Sequence, residues 1–483
     1  MKRSSLRALA GVLALTVPWV VVWLATAGIP LLLDLLAPGA AYEPPAVLLS
    51  LPTGGVVLLS GVAVLGAAFL LAWAAETAEK DVPRSFAIAV LAVLAVAPEY
   101  AVDALYAFNA GAGGATAETC AQFTAAEIDA GVTPLAEACH DANLAVANMT
   151  GANRILIGIG WAGIAVFTVR RAARTADPAV RDRDGWLADA VALDSAIATE
   201  VAFLFLATAW AFFVPLGGGI DVMDTVLLVG LYVAYIGIII RGDIEADEEH
   251  VGVPKYFQGW SLPWRPLVVL ALFGYSGAMI FTAVEPFAHG LEVIGVENGI
   301  PEFFMIQWIA PLASESPELI VVIVLVNKAR STAGFNALIS SKLNQWTLLI
   351  GTLSVVFSLS LGQYGVLPFD AKQAAEIWIT AAQSYFALAV LVNLEISVRE
   401  SLAIFVLFIS QVLIEFAVIR GVLTLPLANP TRDVLLIYAA VYVVAGTALF
   451  VKRRAALAHM LGLAADAGRT AIGRDPVHSE FAD

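Results

Sequence analysis

Two glutamates follow prolines inside apolar stretches long enough to cross a bilayer: Glu99 after Pro98, and Glu318 after Pro317. A carboxylate in the middle of a membrane is costly unless it has a partner, and two in matching contexts mark a candidate site for cations. The prolines fit the same chemistry. Proline cannot donate to the carbonyl four residues earlier, so the oxygens of Leu94 and Ala313 need another partner in a place without water. Carboxylate plus carbonyl oxygen is the ligand set hard ions such as calcium and sodium prefer, and two glutamates balance one divalent ion. Asn148 and Ser341 stand at matching positions in the spans that follow and offer further oxygens. Ala145, Ala147, Gly151, Ala152 and Ser340 around them let helices approach closely. The competing reading, paired structural acids beside ordinary proline kinks, is weakened by the repetition of the unit.

The elements that carry these residues are membrane helices. The chain of 483 residues is 60% hydrophobic and only 14% charged, and it repeatedly shows runs of about eighteen or more residues that need no water. The expected fold is all-α, a polytopic transmembrane helical bundle. About twelve spans are predicted, near 8–36, 54–75, 85–108, 143–169, 188–214, 222–240, 266–287, 303–326, 335–361, 374–394, 402–419 and 434–451.

Basic residues give the orientation, because cytoplasmic loops retain Lys and Arg. Lys2, Arg3 and Arg7 precede the first span; Lys80 and Arg84, then Arg170, Arg171, Arg174, Arg181 and Arg183, then Arg241, Lys255 and Arg265 fall on the same side. Lys328, Arg330, Arg399, Lys452, Arg453 and Arg454 complete it, whereas the opposite loops carry only Lys372, Arg420 and Arg432. A missed or invented span would invert every later loop, so the regularity supports the count and places both termini in the cytoplasm. Ala25-Thr26-Ala27 after a basic start resembles a signal-peptide cleavage site. The apolar run continues through Ile29, Leu31, Leu32 and Leu33, which favours an uncleaved anchor.

Cys120 and Cys139, the two cysteines, fall together in an outward loop. Either they form a disulfide, as an oxidising compartment permits, or they are free thiols. His140 is the sole imidazole nearby, so no metal site is expected there. The net charge of −15, with acids such as Glu118, Glu127, Asp129 and Glu137 outside and Glu245, Asp247, Glu248 and Glu249 inside, suits high salt and a halophilic prokaryote. The run from Asp243 to His250 lacks the spaced ligands and turn glycine of a calcium loop and is read as a solvated linker.

The two Pro-Glu regions are each an acidic helix followed by a polar one: Ala95 to Tyr100 with Asn143 to Asn153, and Ser314 to Leu319 with Asn336 to Trp346. By the charge-based topology the third span runs outward and the eighth inward, so the two units are inverted relative to each other. Inverted repeats with broken helices at the midplane are a recurring plan of secondary transporters. The predicted organisation is an extra helix in 1–50, a first repeat domain in 51–240, a cytoplasmic acidic linker in 241–263, a second repeat domain in 264–421, an extra helix in 431–454 and a cytoplasmic tail in 455–483. The core is thus a 5+5 inverted-topology repeat.

On these residues the chain resembles the cation/calcium exchanger superfamily, which includes sodium/calcium and proton/calcium exchangers. Its repeats carry a Gly-Thr-Ser-x-Pro-Glu-Leu helix followed by one close to Gly-Asn-x-x-Gly-Ser-Asn; Ser314 to Leu319 and Asn148 to Asn153 preserve these best. The resemblance spans the second to the eleventh helix. It implies an alternating-access exchanger in which Glu99 and Glu318 bind calcium and compete for sodium or protons, while spans two and seven slide to switch access. The implied ion-binding set is Glu99, Glu318, Asn148, Ser314 and Ser341, with the added acids Glu315 and Asp103.

Departures from the pattern bear on the ions carried. Ala95 and Val96 stand where the first repeat normally has Thr and Ser, Glu315 replaces a Ser, and Ser341 stands where many sodium/calcium exchangers have Asp. Lys342 and Arg154 place cations inside the ninth and fourth spans, and Glu315 and Asp103 are their expected counterparts. Lys342 or Arg154 either takes the place of a bound sodium, with a desolvated lysine linking exchange to protons, or forms a static salt bridge. Asp194, Glu200 and Glu415 are expected to pair with loop arginines or face water. No nucleotide loop, nucleophile triad or haem pattern occurs, so no enzyme activity, cofactor or nucleic-acid partner is expected. The partners expected are inorganic cations and the bilayer. The expected function is exchange of calcium for sodium or protons at a prokaryotic plasma membrane. Sodium/proton exchange, or a non-transporting member neutralised by Lys342 and Arg154, is the alternative.

Overall fold

A computed structural model describes residues 2–36, 44–241, 252–300 and 304–477. The acidic run from Asp243 to His250, expected as a linker, lies outside the described residues. Almost all of the rest is helical. Ten helices are long and apolar enough to cross a membrane, or up to 12 if each of two bent pairs counts as one span. This is a multi-pass membrane protein with the twelve-span plan read from hydropathy.

The bent pairs are the two acidic helices. Ser85–Ala97 with Glu99–Ala112 turns by 50° at Pro98, and Gln307–Ser314 with Ser316–Asn327 turns by 50° at Glu315, two residues before Pro317. Proline removes an intrahelical hydrogen bond and its ring crowds the preceding turn, which accounts for both kinks. The polar helices that follow are also interrupted in the same way. Pro134–Ile155 leads into a π-turn at Leu156–Trp161, and Ser331–Asn344 into one at Gln345–Leu349. Single π-turns inside α-helices concentrate at functional sites.

The described chain clusters into two compact units, each drawn from both halves of the sequence: Met1–Pro98 with Ile244–Val324, and Glu99–Asp243 with Leu325–Asp483. The first is organised around two long helices, Thr53–Ala78 and Trp264–Glu297, which pack along one another and correspond to spans two and seven. Small residues make the close approach: Ala63, Ala67, Ala68 and Ala72 are buried, and Gly290 faces Val57. The N-terminal helix Lys2–Trp23 lies on Thr53–Ala78, and its Thr16 hydroxyl is 2.5 Å from that of Tyr275. At one end, the Lys80 ammonium donates to Gln258 O (3.0 Å), and Arg265 pairs with Asp81.

In the second unit, caps start the helices where the chain leaves water. Asp221 accepts from the amides of Met223 (2.7 Å) and Asp224 (3.1 Å), and Ser397 from that of Glu400 (3.3 Å). Two small antiparallel sheets tie loops together: Val180–Arg181, Ala190–Ala192 and Glu395–Ser397 in one, Gly219–Ile220 and Leu367–Pro368 in the other. In the span order, each sheet joins loops separated by an even number of crossings, so paired loops share a side. Cys120 and Cys139 are joined as a disulfide beside the short helices Ala117–Cys120 and Ala125–Asp129. The extra helix Pro430–Lys452 packs on Ala371–Leu391 through Phe450 against Tyr385 (ring centroids 4.9 Å apart). The tail continues as Arg454–Ala471, which packs on Ala198–Ala211 and buries Met460.

Gly111 marks a close helix contact in this unit. A Cβ there would lie 2.4 Å from the backbone oxygen of Phe357 and 3.1 Å from the nitrogen of Leu361, neither of which can yield without moving the helix. Gly111→Ala is therefore expected to destabilise the protein by about 1–3 kcal/mol through overpacking. A thermal melt in detergent checks it, and an unchanged melting temperature would contradict the packing.

Candidate functional site

Glu99, Asp103 and Asn148 come together within the second unit. Glu99 and Asp103 lie one turn apart on the helix after the Pro98 kink, and both are buried, at 1% and 0% exposure. Asn148, from Pro134–Ile155, points its amide nitrogen at both, 2.8 Å from Asp103 Oδ1 and 3.4 Å from Glu99 Oε1. One neutral amide thus serves two buried carboxylates. Asp103 Oδ2 and the hydroxyl of Ser341 are buried with no protein hydrogen-bond partner among the described residues. Oxygens of this kind suit a hard cation as cargo. Among the described residues there is no cluster of three or more His, Cys, Asp or Glu able to hold a metal. The two carboxylates here instead share the side-chain amide of Asn148 as a hydrogen-bond partner.

The same unit cross-links the polar helices of the two repeats. Tyr100 donates its hydroxyl to Asn344 Oδ1 (2.7 Å). Lys342, fully buried, donates to Asn153 Oδ1 (2.7 Å) and to Asn153 O (3.3 Å), and its ammonium lies 4.3 Å from the centroid of the Trp346 ring. The π-turns fix the helical register between repeats. One begins eight residues after Asn148, the other nine after Asn336 and only four after Ser341. Counted from the π-turns, the counterpart of Asn148 is Ala337, beside Asn336 and four residues before Ser341, and that of Asn153 is Lys342.

Arg154 does not find its counterpart in Asp103. It forms a buried ion pair with Glu376 of Ala371–Leu391, and its Nη1 donates to Gln411 Oε1 at 3.2 Å. Gln411 in turn donates to Glu415 (2.8 Å), whose other oxygen is 3.8 Å from the Lys372 ammonium. Glu415 is thereby tied into an internal network that sequence reading did not anticipate. Gln411 and Glu415, spaced i and i+4 in an apolar span, and Glu376 with Thr380 and Gln383 on one helix were its available signals. Asp194 caps a short helical turn through the Ala196 amide (3.0 Å), and Glu200 accepts from Tyr235 (3.1 Å), whose hydroxyl is 3.3 Å from that of Ser340. Neither meets a loop arginine among these bonds.

At one end of the polar helix, Asn143 and Asp370 exchange hydrogen bonds of 3.0 and 3.4 Å beside a cavity of about 280 Å³ lined also by Cys120, Cys139 and Phe369. Asp370 caps Ala371–Leu391 through the Gln373 amide, and burial pushes its carboxyl above the usual carboxylate range.

Glu318, Ser314 and Glu315 belong to the other unit. All three are buried, at 1%, 9% and 2% exposure, around the kink between Ala310–Ser314 and Ser316–Asn327. Ser314 donates to Pro311 O (3.0 Å), Glu315 takes the turn residue between the helices, and Gln307 is buried about two turns before.

Kinked acidic helices and π-interrupted polar helices, each occurring twice in a helical membrane bundle, define an inverted-repeat membrane transporter. Residues 52–241 and 268–417 match the family model of the sodium/calcium exchanger protein, and the chain belongs to that family. Its structure is similar to the crystal structure of the H+/Ca2+ exchanger CAX, with 38% identity, a TM-score of 0.71 and coverage of 96% of this chain and 98% of that one. The sodium-calcium exchanger NCX_Mj shares the fold at 15% identity and a TM-score of 0.50, over 75% of this chain and 98% of its own. No curated protein sequence matches.

Proposed function

We propose that the protein is a secondary-active antiporter that exchanges calcium for protons by alternating access. The observation that carries this reading is the shared donor, with Asn148 serving both Glu99 and Asp103. Two ionised carboxylates so close in an apolar setting repel one another, and a neutral amide shared between them does not cancel that charge. A divalent cation balances both, and so do protons. Competition between the two for one pair of oxygens is what couples their opposite movement. Glu318, the counterpart of Glu99 in the second repeat, is proposed as an ion-binding residue of its own unit, with Ser314 and Glu315 at its kink. The likeness to the H+/Ca2+ exchanger over nearly the whole chain supports protons as the counter-ion.

The proline kinks and π-turns support movement at the helices that carry the site. The protein is placed in the plasma membrane of a prokaryote with both termini cytoplasmic, in keeping with the charge bias of the loops. Its acidic surface favours a saline habitat. It acts without a cofactor, catalyses no covalent step, and takes its energy from an ion gradient.

The test is uptake of radiolabelled calcium into proteoliposomes under a pH gradient or a sodium gradient imposed separately. Uptake driven by the pH gradient alone is expected. Uptake driven only by sodium would replace the proton with sodium as counter-ion, and no uptake from folded protein under either gradient would overturn the reading.

A further inference from the structure

One buried acid has no role in the exchange described above. Glu200 stands in the first turn of Ala198–Ala211, six residues after Asp194, whose exposed side chain caps the turn that leads in from the arginine-bearing loop. Glu200 itself is 0% exposed. Its Oε1 meets the hydroxyl of Tyr235 from Val222–Ile239 at 3.1 Å. Apart from its own main chain, Oε2 is buried without a hydrogen-bond partner among the described residues. The bases on the helices packed against Ala198–Ala211 meet other groups: Lys342 meets Asn153, Lys372 meets Glu415 and Arg469 meets the main chain of Asp475, while Arg454 and His459 are exposed. Of the acids there, Glu376 pairs with Arg154, Asp224 accepts from Trp210 and Asp466 accepts from the Val477 amide. Tyr232, beside Tyr235, is a neutral phenol, and Asp194 has the same sign of charge as an ionised Glu200. Among these groups an ionised carboxylate finds no compensating cation, whereas the acid form needs none.

The hydroxyl of Tyr235 is also 3.3 Å from that of Ser340 on Ser331–Asn344. Ser340 lies one turn before Asn344, which accepts from Tyr100, the residue after Glu99. Carboxyl, phenol and hydroxyl each donate and accept, so this row can hand on a proton in either direction. We propose that Glu200 is a proton-binding residue, separate from the Glu99 and Asp103 pair, and that one of the protons exchanged for calcium is carried there. On release the Glu200 O–H bond breaks as its proton passes to Tyr235, the Tyr235 proton passes to Ser340, and the Ser340 proton passes to water. Each hydroxyl gains one proton and loses one, and Glu200 is left as the carboxylate. The part in transport rests on the proposed exchange of calcium for protons; binding of a proton at Glu200 stands or falls by itself.

The experiment uses the full chain. In proteoliposomes, with the membrane potential held at zero by equal potassium and valinomycin, the calcium accumulated at steady state reports the protons moved per calcium. Under a pH gradient of about one unit, each proton contributes roughly a factor of ten to the calcium ratio. Glu200→Gln, which keeps the shape of the side chain and an acceptor oxygen for Tyr235, is expected to lower that ratio roughly tenfold. Glu200→Asp, which keeps the acid, is expected to retain it. A carboxyl that only supports the bundle changes the rate and leaves the ratio where it was, so an unchanged ratio in Glu200→Gln overturns the proposal. In detergent, the infrared difference spectrum between mildly acid and alkaline pH is expected to contain a protonated-carboxyl C=O band that Glu200→Gln removes and Glu200→Asp shifts. A spectrum that neither variant alters also overturns the proposal, and Glu200→Asp serves this arm if Glu200→Gln does not fold. Absence of pH-driven uptake by the wild type counts against the exchanger reading alone, because the band in detergent still decides whether Glu200 binds a proton.

Discussion

Glu99→Gln is expected to lower the initial rate of calcium uptake by roughly a hundredfold or more, because it removes a full charge from an oxygen ligand set for a divalent ion. The substitution keeps the shape of the side chain, so the loss is chemical and not steric. Glu99 is buried at 1% exposure and receives only the longer of the two bonds from Asn148, 3.4 Å against 2.8 Å to Asp103. A glutamine there can keep one oxygen for the Asn148 amide but replaces the other carboxylate oxygen by an NH2 donor, which cannot ligate a cation. Asp103→Asn should cost less, since Asp103 is the acid already satisfied by Asn148 on one oxygen, and Glu99→Asp should fall between, keeping the charge but withdrawing it by one methylene. The check is the initial rate of labelled-calcium uptake into proteoliposomes, with the melting temperature of each variant measured alongside. A Glu99→Gln protein that is folded and transports at more than about a tenth of the wild-type rate would remove Glu99 from the ion site.

The kinked acidic helices were legible in the sequence because burial makes their residues expensive. A proline and a glutamate together inside an apolar span have few explanations, and their recurrence in inverted order has fewer. The spans themselves were legible for the same reason, since apolar runs and basic loops are imposed by the bilayer and not by contacts. What the sequence hid is set by long-range packing. Glu376 lies 222 residues from Arg154 and close to the start of its helix, where an acid reads as a group facing water. Asp103 looked like the partner of a buried base only because it was near Glu99; in the structure Asn148 claims it. The π-turns have no sequence signature, so matching Asn148 to Ser341 from the pattern alone differs by four residues from the register of the π-turns, which puts Ala337 opposite Asn148. Asp194 was placed inside a span because the surrounding residues are apolar, whereas its carboxylate caps a helical turn.

Glu376→Ala is expected to be among the most damaging single changes to stability, costing about 3–5 kcal/mol, because it leaves the Arg154 guanidinium charged in the interior without its carboxylate. Arginine cannot escape by losing its proton, and at 1% exposure the side chain cannot reach water without unpacking its helix. Gln411 offers one neutral oxygen, which replaces only part of what is lost. The pair itself need contribute little net stability, since taking both charges out of water costs about as much as their attraction returns. The double variant Glu376→Leu with Arg154→Met is therefore expected to be markedly more stable than Glu376→Ala, though it carries one more substitution. Thermal melts of the wild type, Glu376→Leu, Arg154→Met and the double variant form a cycle that reads the coupling directly. Simple additivity of the two single losses would mean that the charges are not coupled, and that Arg154 is balanced elsewhere. Restored stability without restored calcium uptake would go further, assigning the network that runs from Arg154 through Gln411 and Glu415 to Lys372 a part in transport beyond supporting the bundle.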